Sequence, residues 1–223
     1  INVIAFSTDW SLAGDHVYLM GFMPFAQVDR ITDYAFRSGY RNFGLIAPID
    51  KYGDSTSIHF EKAVRKEHGL ITKRLRFSPH NNNLAEHIRS FSNFEARSAR
   101  RAEASSLALK KLQDNPHDLQ AKSELEQLKK AQGYGEYPFH AVFMPVGGAQ
   151  AHAIANSLSY YDMTPNQMRR LGTGLWDDPR LLAEQNLEGA WFAGPSSQTR
   201  LSFEKRYFDL YGQKPLRLSS LAY

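Results

Sequence analysis

The residues of this 223-residue chain that could do chemistry do not combine into a catalytic pattern. There is no Gly-x-Ser-x-Gly elbow, no His-Glu-x-x-His helix, no phosphate-cradling P-loop and no Gly-x-Gly-x-x-Gly turn. Cysteine is absent, which removes thiol catalysis, disulfides and thiolate metal sites, and the eight histidines are scattered without the i,i+4 spacing of paired ligands. No catalytic residue, metal site or cofactor is therefore expected. What the sequence does offer is binding chemistry at four short stretches, each following an apolar run: Ser7-Thr8, Tyr52-Gly53-Asp54, Val146-Gly147-Gly148 and Trp176-Asp177-Asp178. Ser, Thr and Tyr hydroxyls donate and accept hydrogen bonds, an Asp carboxylate makes charge-assisted ones, and paired glycines allow close approach to a helix N-terminus. The same residues serve equally well as local structure. Ser7 and Thr8 suit a turn, Tyr52-Gly53-Asp54 a loop and helix cap, and Gly147-Gly148 a tight strand-to-helix turn. Trp176 suits a core, with Asp177-Asp178-Pro179 capping the next helix.

The elements that must position these groups alternate. Ile1 to Phe6 reads as a buried strand and Val17 to Phe22 as a second, followed by a helix that starts at Pro24 and stops at Gly39. Asn42 to Ala47 is a short buried strand, Phe60, Ala63 and Val64 share one helical face, and Leu70 to Phe77 mixes apolar and basic residues as an edge strand does. After an interruption the rhythm resumes with a strand at Phe139 to Met144, a helix from Gly147 to Tyr161, strands at Met168 to Gly172 and Leu187 to Phe192, and a helix from Leu201 to Tyr211. Strand and helix in alternation predict an α/β fold with parallel sheets.

The interruption, residues 84–132, is rich in Ala, Leu, Glu, Lys, Arg and Gln and is divided by Asp114-Asn115-Pro116-His117-Asp118. It predicts two helices joined by a turn, projecting from the sheet domain. Its 9 basic and 7 acidic residues are nearly balanced, as on a solvated helix pair. Phe91, Phe94, Arg97, Arg100 and Arg101 form the cluster that would favour a docking surface for a partner protein. The net charge of +4 is too mild for a nucleic-acid footprint, and no apolar run approaches the ~20 residues of a transmembrane helix.

Taken in order, Val3-Ile4-Ala5-Phe6-Ser7-Thr8, Tyr18 to Pro24, Gly39 to Ala47, Asp50-Lys51-Tyr52-Gly53, Phe139 to Met144, Leu171 to Trp176 and Phe203 to Pro215 resemble the type I periplasmic binding proteins. The leucine/isoleucine/valine-binding proteins of ABC transporters are the best-known members. Only residues 84–132 fall outside the resemblance. It implies two Rossmann-like lobes, one from residues 1–39 plus 196–223 and the other from 40–195, with crossings near Gly39-Tyr40 and Gly194-Pro195 as hinges. It also implies that the family's first strands and helices would precede Ile1.

By the same resemblance, Ser7 and Thr8 would hold a ligand carboxylate, Tyr52 would cover it and Asp177 would hold an ammonium, while Gly53, Gly147, Gly148 and Trp176 complete the ligand-binding set. The implied protein is a non-catalytic receptor in the periplasm that delivers a small polar ligand to a membrane transporter. One branch, the penicillin-binding protein activators, is similar in carrying a charged helical insertion here. It implies instead an envelope lipoprotein, anchored through an upstream segment, that stimulates peptidoglycan synthesis. Where amino-acid binders present a second Ser or Thr after the second strand, this chain has Gly21-Phe22-Met23-Pro24, which leaves the ligand open.

Overall fold

The computed structural model describes residues 1–7, 12–21, 23–78, 83–131, 133–194, 197–215 and 219, without the side chains of 197–199. Two parallel sheets carry the chain. The first pairs β1 (Val3–Ala5) with β2 (Val17–Leu19), and the second holds five strands in the order β4-β3-β5-β6-β7. These are β3 (Asn42–Pro48), β4 (Leu70–Phe77), β5 (Ala141–Phe143), β6 (Arg169–Gly172) and β7 (Trp191–Phe192), all mutually parallel. Numbered within the sheet, that order is 2-1-3-4-5, the doubly wound arrangement whose direction of winding reverses between the first and third strands. The α/β parallel architecture predicted from alternation is thus present.

Alternating side chains send the strands' apolar residues to two cores. Phe43, Leu45 and Ala47 of β3 join Ala141 and Phe143 of β5 on one face, beneath α1 (Pro24–Arg37) and α2 (Lys51–Lys66). Ile46 of β3 and Val142 of β5 point to the other face, beneath α3 (Leu84–Phe91) and α6 (Gly148–Tyr160). The 1–39 unit implied by the resemblance includes helix α1, but Val28, Ile31, Ala35 and Phe36 pack into the core of the five-stranded sheet. The chain accordingly passes from one sheet to the other between β2 and α1. Edge strand β4 keeps its charges outward: Arg74 bonds Glu61 at 2.8 Å and Arg76 pairs with Asp54. That charge pattern protects the edge from pairing with another chain.

The inserted segment differs from expectation. It contains three helices rather than two, because Asn93, at φ +52°, breaks the first half into α3 and α4 (Phe94–Asp114) before α5 (Leu119–Lys130). Asn tolerates this left-handed conformation better than most residues, and no Gly or Pro announces it in the sequence. Helix α3 belongs to the core through Ile88 and Phe91, so the hairpin proper is α4 with α5.

The cluster read as a docking surface is largely internal. Phe91 packs 4.8 Å from the Phe139 ring centroid and Phe94 5.2 Å from that of Tyr161. Arg97 is buried, bonded to Asp162 at 2.5 Å and stacked 3.9 Å over the Tyr137 ring. Arg101 donates to the Ala131 carbonyl at 3.1 Å. These contacts fasten the hairpin's base to the sheet domain.

The strand expected at Leu187 to Phe192 shortens to two residues, since Gln185–Leu187 forms a 3-10 turn and Gly189 adopts φ +65°. After it the chain enters α7's successor: α7 (Pro179–Leu182) lies between β6 and β7, and α8 (Ser197–Tyr211) follows β7. Among the described residues no helix is long and apolar enough to cross a membrane.

Candidate functional site

The carboxyl ends of β3, β5 and β6 bring three of the four predicted stretches to one rim. In an open parallel sheet this rim, beside the reversal of winding, is where loops and helix N-termini are free to meet a ligand. At the end of β3, Asp50 caps α2, its carboxylate accepting from the Gly53 N–H at 2.6 Å. A Cβ at Gly53 would stand 2.1 Å from the Pro48 carbonyl oxygen, so glycine is required for the helix to start this close to its strand. Tyr52, on the same first turn, reaches across to β6, where its hydroxyl lies 2.8 Å from the Thr173 Oγ1.

At the end of β5, Gly147 is the extended residue before α6 and supplies no side-chain cap. Gly148, at φ +53°, has open space where a Cβ would stand. The amino end of α6, the positive end of the helix dipole, thus has no side-chain cap, and the Leu175 side chain lies against Gly147.

At the end of β6, Thr173 caps a 3-10 turn spanning Gly174–Trp176. The Trp176 indole is buried and donates to the Val146 carbonyl at 2.7 Å, tying this loop to the end of β5. Its ring also fills the space above Gly172, where a Cβ would lie 2.2 Å away. Gln27 of α1 accepts from the Gly174 N–H at 2.7 Å. Asp178 caps α7 through the Arg180 N–H at 2.9 Å, and hydrogen bonds from Arg180 hold its carboxyl below the ordinary carboxylate range. Asp177 instead pairs with Arg200 of α8. Near the start of β6, Arg170 is buried and donates to the Ala155 and Met163 carbonyls; burial pulls its pKa down to about 10, so it stays cationic at neutral pH.

Tyr52 meets Thr173, Trp176 meets the Val146 carbonyl and Gly147 lies against Leu175, so the three loops touch one another. Gly53 and Trp176 hold the loops in place, whereas Tyr52, Gly148 and Asp177 present polar groups. Ser7 stands at the end of β1 in the other sheet, its N–H donating to the Ala5 carbonyl at 3.1 Å. Thr8, Phe22 and Pro195 lie outside the described residues. Sequence reasoning missed Thr173, Gln27 and Arg200. Thr173 carried a signal, a Thr directly after a strand, but Gln27 and Arg200 are brought here only by tertiary packing. A recess of about 410 Å³ opens beside Gln27, where the chain changes sheets, lined by Gly21, Met23, Ala26, Arg30 and Gly194.

No family model and no curated protein matches the sequence. Solved structures do match the fold. The leucine-binding protein LivK of Thermotoga maritima superposes with a TM-score of 0.59 at 14% identity, over 98% of this chain and 52% of its own. A branched-chain amino acid ABC transporter periplasmic ligand-binding protein of Burkholderia xenovorans gives 0.53 at 14%, over 92% and 44%. A solute-binding protein of an ABC transporter from Rhodopseudomonas palustris, in complex with 3,4-dihydroxybenzoic acid, gives 0.54 at 14%, over 91% and 46%. The fold is that of the type I periplasmic binding proteins, and the chain spans about half the length of the structures it matches.

Proposed function

We propose that this protein is a non-catalytic periplasmic receptor that holds a small polar solute between two lobes and presents it to a membrane transporter. The observation that carries the reading is the convergence of Tyr52, Thr173, Gly148 and Asp177 on one rim of a parallel sheet, at its reversal of winding. Ser7 would face that rim from the β1–β2 sheet. A solute touching both lobes shifts the open and closed forms by its difference in affinity for the two, and no bond is made or broken. Solute-binding proteins of ABC transporters, among them binders of leucine and of aromatic acids, share this fold and support the reading.

The test is thermal unfolding of the full-length protein against amino acids and aromatic or aliphatic carboxylic acids. The expected result is stabilisation of about 2–4 kcal/mol by one chemical class at ligand concentrations ~100 to ~1,000 times Kd. Loss of that shift in Gly148→Trp would tie it to the rim.

A second reading, an envelope lipoprotein that binds and activates penicillin-binding proteins, is favoured by one feature. The α4–α5 hairpin leaves Leu107, Leu109 and Leu119 exposed on a firmly anchored base. Recovery of a peptidoglycan synthase by the full-length protein, lost on deleting the hairpin and accompanied by silence in the solute screen, would replace the first reading with this one.

A further inference from the structure

Asp177 ends the 3-10 turn at the carboxyl end of β6, and its side chain is only 12% exposed. A carboxylate so withdrawn from water requires a cation or several N–H donors. The cation comes from within the chain: Nη1 of Arg200 donates to Oδ2 of Asp177. Nε of the same guanidinium lies 3.3 Å from Oε1 of Glu204, one turn further along α8, and the Arg200 side chain is itself 30% exposed. The bond to Asp177 holds the guanidinium's pKa above its ordinary value even though partial burial opposes this. Arg200 thus occupies the place beside Asp177 that a ligand ammonium would need.

Resting on the solute-binding reading, we infer that Arg200 is the built-in counter-ion of Asp177 and makes the cleft select organic acids that lack an amino group over zwitterionic amino acids. An ammonium can reach Asp177 only by expelling Arg200. That exchange replaces one charge-assisted hydrogen bond with another, strips water from the ammonium and leaves the guanidinium with Glu204 alone, so it yields no net gain. An organic acid avoids the exchange entirely. Discrimination of this kind comes from a repulsive element, here an internal cation opposing a ligand's cation, as much as from an attractive one.

Two matched pairs test it: leucine with 4-methylpentanoate, and phenylalanine with 3-phenylpropanoate, each pair differing only in the ammonium. Thermal shift and calorimetry on the full-length protein should show the acid of at least one pair binding about tenfold or more tightly than its amino acid. In Arg200→Gln the preference should swing toward the amino acid, and adding Asp177→Asn to that variant should abolish the gain. An amino acid that binds the unaltered protein as tightly as its matched acid overturns the inference and leaves the solute-binding reading standing, a comparison that needs no variant to fold. An unchanged preference in a folded Arg200→Gln does the same. Absence of binding by all four compounds to both proteins sinks the solute-binding reading for these classes and the inference with it.

Discussion

The two parallel sheets are built from similar residues and meet opposite surroundings. In the five-stranded sheet Phe43, Leu45, Val142 and Phe143 are buried between helices on both faces, and Phe60 stacks on Phe143 at 4.4 Å. In the two-stranded sheet Val3, Ile4 and Tyr18 remain 48%, 59% and 59% exposed, and α8 leaves Leu201, Phe208 and Leu210 in solvent. Apolar composition makes a strand, but the layers on either side decide what it contributes. Parallel sheets gain their stability from being covered on both faces, so β1 and β2 add little to this chain by themselves.

The sharpest way to break that contrast is a matched pair of core truncations. In this 223-residue chain Phe143→Ala should cost about 3–5 kcal/mol in urea unfolding, whereas Ile4→Ala should stay within about 0.5 kcal/mol. Equal losses would show that the small sheet is as well packed as the large one. The hairpin's attachment comes next. Asp162→Ala strands the buried Arg97 guanidinium without its anion and should cost about 3 kcal/mol, again read from the urea midpoint. Asp50→Ala removes the α2 cap and should cost about 1 kcal/mol, and hydrogen exchange should rise in the first turn of α2 before anywhere else.

The smallest effect concerns pH. Arg180 holds the Asp178 carboxyl below its ordinary range, so this contact's contribution is present above the unfolded carboxylate value. It is lost as pH falls through the depressed one. Asp178→Asn should therefore lower stability slightly at neutral pH, leave acid pH almost unchanged and so flatten the acid limb. A changed alkaline limb would contradict this assignment.

Much of the large sheet is legible in sequence because its strands are short apolar runs set between helices with clear start and stop residues. Leu70–Phe77 has the bounds and the edge character that its alternating basic residues predict. Asn93 and the two-residue β7 are not legible, since a left-handed Asn and a Gly189 turn leave the apolar periodicity intact. At the site, Tyr52, Gly147 and Asp177 stand out as polar or small residues after strands. Their neighbours Gln27 and Arg200 do not, because partners 147 and 23 residues away leave no local pattern.

By itself the sequence determined the alternation of strand and helix, the parallel character of the sheets and the absence of familiar catalytic motifs, because these follow from side-chain period and residue type along the chain. The tertiary structure decided which sheet claims α1, which cation sits beside Asp177 and which phenylalanines of the insertion are core. Those outcomes depend on which surfaces meet in space, and burial and charge pairing act between residues that are remote in sequence.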